Sequence, residues 1–215
     1  MKRVGKKSEE TKRKILNAAL ELFREKGFEQ TTMRDIAEKA GMSLGAAYYY
    51  FNSKEKLVLA YYQSALNEIQ DFVDQPEFKQ IRSFKGRMEV LLDYKFRQLK
   101  PYRAFLGVLS NPDSVASPFS DETKDVRDAN IALFDHLIEG SDAGIPSDLR
   151  GQLPRLLWYY QMSLILFWLH DRSRGQTRSK ELQTRSLDLL MNLIRIGKLP
   201  FMKSLRKSVL DLVNI

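Results

Sequence analysis

Cysteine is absent from the 215 residues, and histidine occurs only twice, at His136 and His170. A disulfide framework and a thiolate zinc site are therefore excluded, and the two histidines are too far apart to form a local metal motif. No glycine-rich phosphate loop is present, and no internal repeat, low-complexity tract or persistent strand alternation appears. Apolar runs are short. Leu156 to Leu169, LLWYYQMSLILFWL, has no charge in 14 residues, which fits a buried helix, whereas a membrane span needs about 20. The N-terminal MKRVGKKSEETKRK is charged and lacks the apolar run of an export signal. With the missing cysteines, this suits a reducing cytoplasm. The expectation is a cytoplasmic, helical protein with no metal, no cofactor and no membrane partner.

What is abundant is positive charge, and it is unevenly placed. The chain holds 35 Lys or Arg against 27 Asp or Glu, a formal charge of +8. The first 56 residues hold 13 and 8 of these, the remaining 159 hold 22 and 19. Most of the surplus sits on about a quarter of the chain, as a footprint for a polyanion would.

The most informative stretch is Thr31 to Lys54, TTMRDIAEKAGMSLGAAYYYFNSK. Thr32 can cap a short helix, with Asp35 three residues on completing a capping box and Ile36, Ala37 and Ala40 forming an apolar face. Gly41 ends that helix, since it tolerates the left-handed backbone of a tight turn, and Ser43 is a natural N-cap for the next. That next helix opens with Leu44, Gly45, Ala46 and Ala47, so its first turn is nearly bare and can approach another surface closely. Tyr48, Tyr49, Tyr50 and Phe51 follow. Four consecutive positions span a whole turn, so Tyr50 and Phe51 are expected to pack inward with Ala47 while Tyr48 and Tyr49 point out. Asn52 or Ser53 caps a further helix whose first residue, Lys54, places a cation beside free backbone N–H groups, as a phosphate site requires.

These blocks, preceded by ILNAALELF at Ile15 to Phe23 and followed by NSKEKL, resemble the DNA-binding domain of the TetR family of bacterial transcriptional regulators over about the first 60 residues. The resemblance implies an all-α protein with an N-terminal three-helix helix-turn-helix DNA-binding domain, residues 1–56, and a C-terminal helical effector-binding and dimerisation domain, residues 57–215. Thr32, Arg34, Ser43, Leu44, Gly45, Ala46, Tyr48, Tyr49 and Lys54 become the candidate contacts to double-stranded DNA. Two positions depart from the family pattern: Leu44 stands where Lys is frequent, and Ala46 where a hydroxyl residue is. The basic residues ahead of Ile15 are either a disordered stub or an arm reaching a groove.

Beyond this region the period stays helical. A first helix is expected from Ser8 or Thr11 to Lys26, and a connecting helix from Lys54 to about Val73. Others run from Ser83 to Leu99 and from Asp121 to Glu139, with a proline-containing loop between them. In the last two long helices each has two apolar stripes. Leu153, Leu157, Tyr160, Leu164 and Phe167 form one, and Trp158, Met162, Ile165 and Leu169 the other; then Leu182, Leu189, Leu193 and Ile196, against Leu187, Leu190, Met191 and Ile194. A monomer's surface helix needs cover on one stripe, so a second subunit is expected over the other, making a four-helix interface. Leu157, Tyr160, Leu164, Phe167, Leu187, Leu190 and Ile194 are the candidate dimer contacts. The competing possibility is a monomer whose C-terminal PFMKSLRKSVLDLV folds back as the cover.

The family resemblance also places a small-molecule effector in the second domain. Phe96, Tyr102, Phe105, Phe134, Trp158 and Met162 are the aromatic and methionine lining candidates, and Gln161 the polar group that would orient an apolar or amphipathic ligand. The expected function is a ligand-released homodimeric repressor on a palindromic operator. The alternatives are a helical-bundle enzyme, for which His170 beside Asp171 is the slender hint, and a protein-interaction module without DNA binding.

Overall fold

The computed structural model describes residues 2–213 other than 105, 108–110, 112 and 113, so Phe105, a candidate effector contact, lies outside the described residues. Among the described residues the regular structure is helical: α1 Lys2–Lys26, α2 Met33–Lys39, α3 Leu44–Tyr50, α4 Lys54–Val73, α5 Pro76–Lys79, α6 Phe84–Leu99, α7 Lys124–Glu139, α8 Ser147–Arg150, α9 Leu153–His170, α10 Thr177–Gly197 and α11 Lys203–Val213. None of these helices is long and apolar enough to cross a membrane. The chain divides into two compact units, residues 1–67 with 98–126, and residues 68–97 with 127–215, so α4, α6 and α7 each contribute to both.

The N-terminal segment was expected as a stub or an arm and a helix only from Ser8 or Thr11, yet α1 begins at Lys2. Lys and Glu are good helix formers, no proline interrupts them, and Lys12 pairs with Glu9 at 3.1 Å one turn back. At its other end Gly27 takes φ +86° and donates its N–H to the Phe23 carbonyl at 3.1 Å, a left-handed stop.

In the first unit Ile15, Ala19 and Phe23 of α1, Ile36 of α2, Ala47 of α3 and Leu57 and Val58 of α4 are buried together as its core. The 98–126 segment is tied to α4 by polar and aromatic contacts. Tyr62 donates to the Ala116 carbonyl at 3.2 Å, Gln98 to the Ala65 carbonyl at 3.3 Å, and the Tyr102 ring meets Tyr61 edge-on at 4.9 Å.

The second unit is built on α6, α7, α9 and α10. Met88, Leu91 and Leu92 bury one stripe of α6; Leu133, Phe134 and Leu137 do so on α7, and Leu187 and Ile194 on α10; on α9 both stripes are buried, Leu157 and Leu164 on one and Trp158 and Ile165 on the other. Arg87 binds this unit at one end. Its buried guanidinium donates to the carbonyls of Ile81 at 2.6 Å, Lys79 at 3.3 Å and Leu137 at 3.2 Å, satisfying chain ends of α5 and α7 that have no helical partner. Asp171 does the reverse at the start of α10. Its carboxylate accepts from the Ser179 hydroxyl at 2.7 Å, the Ser179 N–H at 2.9 Å and the Ser173 N–H at 2.8 Å, and these bonds hold its pKa well below the usual carboxylate range. His170 meanwhile sits 2.8 Å from the Leu166 carbonyl, so the His170–Asp171 pair terminates one helix and starts another.

Candidate nucleic-acid interface

The helix-turn-helix is assembled by short-range bonds. The Thr32 hydroxyl accepts from the Asp35 N–H at 3.2 Å while the Asp35 carboxylate accepts from the Thr32 N–H at 2.8 Å, a complete capping box on α2. Lys26 adds an ion pair to the same carboxylate at 2.7 Å; with the Thr32 bonds this lowers the Asp35 pKa to about 2. After α2, Gly41 adopts φ +68° and donates to the Glu38 carbonyl at 3.0 Å, and Met42 donates to the Ala37 carbonyl at 3.0 Å. This pair of bonds is a Schellman turn, closed by the residue type that tolerates it. Ser43 then caps α3, its hydroxyl accepting from the Ala46 N–H at 3.2 Å.

The α3 helix presents two distinct faces. Ala47 is fully buried, and Tyr50 and Phe51 are half-buried. Tyr48 is 47% exposed and Tyr49 83% exposed, with the Tyr49 ring braced edge-on against Tyr50 at 5.1 Å. Gly45 is exposed, and a Cβ placed there would meet nothing within 4 Å, so this turn opens to the surface. Leu44 and Ala46 are half-exposed; Ser43, Thr32 and Arg34 are exposed, and Arg34 makes no hydrogen bond or ion pair among the described residues. Thr32, Arg34, Ser43, Leu44, Gly45, Ala46, Tyr48 and Tyr49 thus all carry surface on α2, α3 or the cap residues before them.

Lys54 is a correction. Expected as a free phosphate-gripping cation, it donates to the Phe28 carbonyl at 2.7 Å and to the Glu29 carbonyl at 3.4 Å, with its ammonium 4.4 Å from the centre of the Phe28 ring. The Phe28 carbonyl also accepts the Thr31 N–H at 3.3 Å, so the ammonium adds a second donor to this loop and lies over the aromatic face beside it. The sequence separation hides this bond: nothing local links Lys54 to Phe28. Ser53, the expected cap, does cap α4, accepting from the Lys56 N–H at 3.3 Å. Lys39 is likewise engaged, with Glu25 at 3.1 Å and Glu21 at 3.2 Å, which raises its pKa.

The dimer candidates need correction too. Leu157, Leu164, Leu187 and Ile194 are buried within the chain, because α9 and α10 pack on their own unit through these faces. Tyr160 is half-buried and its hydroxyl is spent on Ser186 at 2.9 Å, and Leu190 is half-buried. Of the seven, only Phe167 is exposed, at 42%. On these two helices the open apolar surface joins Phe167 to residues outside that set, Tyr159 of α9 and Leu189 (59% exposed), Leu193 and Ile196 of α10. Among the described residues the C-terminal segment leaves Leu189, Leu193 and Ile196 exposed. Instead α11 packs on α8, with Arg206 paired to Asp148 at 2.8 Å.

Among the effector candidates, Phe96, Phe134, Trp158, Gln161 and Met162 lie in the second unit, all buried or half-buried, and the Phe96 ring meets that of Trp168 at a tilt, with centroids 5.5 Å apart. Tyr102 is corrected: it belongs to the first unit, against Tyr61. Gln161 does not stand alone. Its side-chain oxygen accepts from the buried ammonium of Lys95, which also donates to Asn130 at 3.0 Å and lies 5.2 Å from the Phe134 ring. Lys95 was missed, although its place in the series Met88, Leu91, Leu92, Lys95 puts a cation on the apolar stripe of α6.

Comparison with known proteins agrees with this geometry. Residues 15–61 match the family model for bacterial regulatory proteins of the TetR family, and residues 87–214 match the tetracyclin repressor-like C-terminal domain. The chain is 41% identical over 71 residues to the HTH-type transcriptional regulator TtgR of Pseudomonas putida, a match covering 33% of each protein. It is 26% identical over 132 residues to IcaR of Staphylococcus epidermidis, the negative transcriptional regulator of the biofilm operon icaADBC, covering 61% of this chain and 69% of that one. A TetR-family regulator from Streptomyces coelicolor superposes with a TM-score of 0.62 at 19% identity over 96% of this chain and 99% of that one, a likeness of fold. The match thus spans about a third of TtgR's own length, whereas the C-terminal family model by itself takes in more than half of this chain. The chain belongs to the TetR family of bacterial regulatory proteins, which are helix-turn-helix transcriptional regulators and not enzymes.

Proposed function

We propose that this protein is a homodimeric, sequence-specific DNA-binding regulator, a repressor released from a palindromic operator by a small apolar or amphipathic effector. The observation that carries the reading is the bare, outward first turn of α3, with Gly45 open to the surface and Tyr48 and Tyr49 exposed beyond it. A helix so stripped can enter a major groove, where Leu44 and Ala46 meet thymine methyl groups and Tyr48 and Tyr49 reach base edges or backbone. Thr32, Arg34 and Ser43 flank it as phosphate contacts. With the Lys54 ammonium tied to two carbonyls, that residue contributes chiefly through the free N–H groups at the start of α4.

A palindromic site calls for two copies of α3 about 34–36 Å apart or a multiple of this. The exposed apolar residues of α9 and α10 supply a surface for the second copy, and IcaR, a negative regulator, supports the repressor assignment. An effector in the second unit acts only by favouring one arrangement of the dimer over another, and by linkage the operator then weakens effector binding by the same factor. The α4 helix, with residues in both units, is the lever for such coupling.

The test is a gel shift with DNA from beside the gene at two salt concentrations. Phosphate-dominated binding weakens steeply with salt. Ala46→Glu, which sets a carboxylate against the duplex at a half-exposed position, is expected to abolish the shift while circular dichroism stays unchanged. Unchanged affinity in that variant would remove α3 from the interface.

A further inference from the structure

We propose that the second unit takes its effector as an anion, an acidic amphiphile whose charged oxygen pairs with Lys95 on α6 while its apolar part lies among Phe134, Trp158 and Met162. This rests on the reading of the chain as a ligand-responsive regulator and names the chemistry of the ligand.

Two buried cations in this unit are built differently. Arg87 is met by three backbone carbonyls at helix ends, fixed acceptors whose dipoles offset its charge. Lys95 lies within a helix, 4% exposed, and its partners are the side-chain oxygens of Asn130 on α7 and Gln161 on α9 together with the face of Phe134. An ammonium only donates, so both amides must turn their oxygens toward it. No carboxylate is paired with Lys95 among the described residues. Its charge is therefore buried without a counter-charge, and burial pulls its pKa down to about 7.

Side-chain amides, unlike helix-end carbonyls, can swing aside. A carboxylate or phenolate entering between Asn130 and Gln161 replaces a neutral acceptor by a charged one in an apolar setting, where a charge-assisted hydrogen bond is strong. A neutral ligand of the same skeleton gains only the apolar contacts. The site thus selects acids over their esters, and the three helices that hold Lys95, Asn130 and Gln161 are the ones such a ligand would shift.

The experiment titrates the purified full-length protein with decanoate, 2-naphthoate and 4-hydroxybenzoate, each beside its methyl ester. It follows tryptophan fluorescence, for which Trp158 and Trp168 are buried reporters. At least one acid is expected to bind tenfold or more tightly than its ester. Lys95→Met is expected to erase that preference, and Gln161→Ala, which keeps the charge and frees a donor, to enlarge it. Thermal melts show whether Lys95→Met folds; if it does not, Gln161→Ala decides. Equal affinity for acid and ester across the panel, or a preference unchanged by the variants, overturns the proposal. Esters that bind and release DNA as well as acids do would leave the regulator reading standing without it. A Lys95-dependent acid preference in a protein that fails to bind DNA would sink the regulator reading and keep the site.

Discussion

Lys95 and Arg87 carry the sharpest consequences of single side chains. For Lys95 the folded-state pKa, about 7, lies below the ordinary 10.5. Between these values the unfolded chain holds the proton that the folded chain has shed, so stability rises with pH through this window and is lost as pH falls toward 7. Urea unfolding from pH 7 to pH 10 should show a gain of up to about 3 kcal/mol that is missing in Lys95→Met. An equal pH slope in both proteins would mean that the charge is hydrated. Gly140 matters through Arg87. A Cβ there would stand 2.1 Å from Nη1 and 2.8 Å from Cζ of a guanidinium already held by three carbonyls. Gly140→Ala is expected to cost about 2–3 kcal/mol in urea unfolding, and much less in an Arg87→Met background where the clash is gone. Spacing along the chain does not disclose what either residue meets. A lysine on an apolar stripe is a visible anomaly, but its amide partners lie 35 and 66 residues away.

Helix boundaries in the helix-turn-helix are readable because their causes are local. The Thr32–Asp35 box, the left-handed Gly41 and the Ser43 cap each operate within a few residues, and such bonds form wherever those residue types occur at that spacing. Thr32→Ala should cost about 1 kcal/mol of stability, since it removes one half of the box from an exposed position and leaves the core untouched. Chemical denaturation measures it. An unchanged midpoint would show that Asp35 and its Lys26 pair hold the helix start unaided. The α1 helix shows the limit of local reading. A charged, helix-favouring segment is equally compatible with coil, and the expected start lies several residues later than the Lys2 at which α1 begins.

For assembly, both stripes of α9 are largely covered within the chain, whereas the two stripes of α10 have opposite outcomes that a mutation pair separates. Leu187 is fully buried and Leu189 is 59% exposed on the same helix. Leu187→Glu places an unpaired carboxylate in the core and should unfold the second unit, a loss of several kcal/mol. Leu189→Glu should leave the monomer folded and split the proposed dimer. Light scattering with circular dichroism distinguishes the two. A Leu189→Glu protein that remains dimeric would move the interface off this face.

Helical class, the turn chemistry of the helix-turn-helix and the outward Tyr48 and Tyr49 follow from the order of residues, because short-range hydrogen bonds and a 3.6-residue period leave little choice. Periodicity shows that α9 and α10 each have two apolar stripes but is silent on which neighbour covers which. That is settled by packing: Leu157, Leu164, Leu187 and Ile194 turn inward, and Leu189, Leu193 and Ile196 stay open. Packing also ties Lys54 to Phe28 and brings Lys95 to Gln161. Contacts between distant segments depend on how whole helices fit together, and no spacing along the chain encodes that fit.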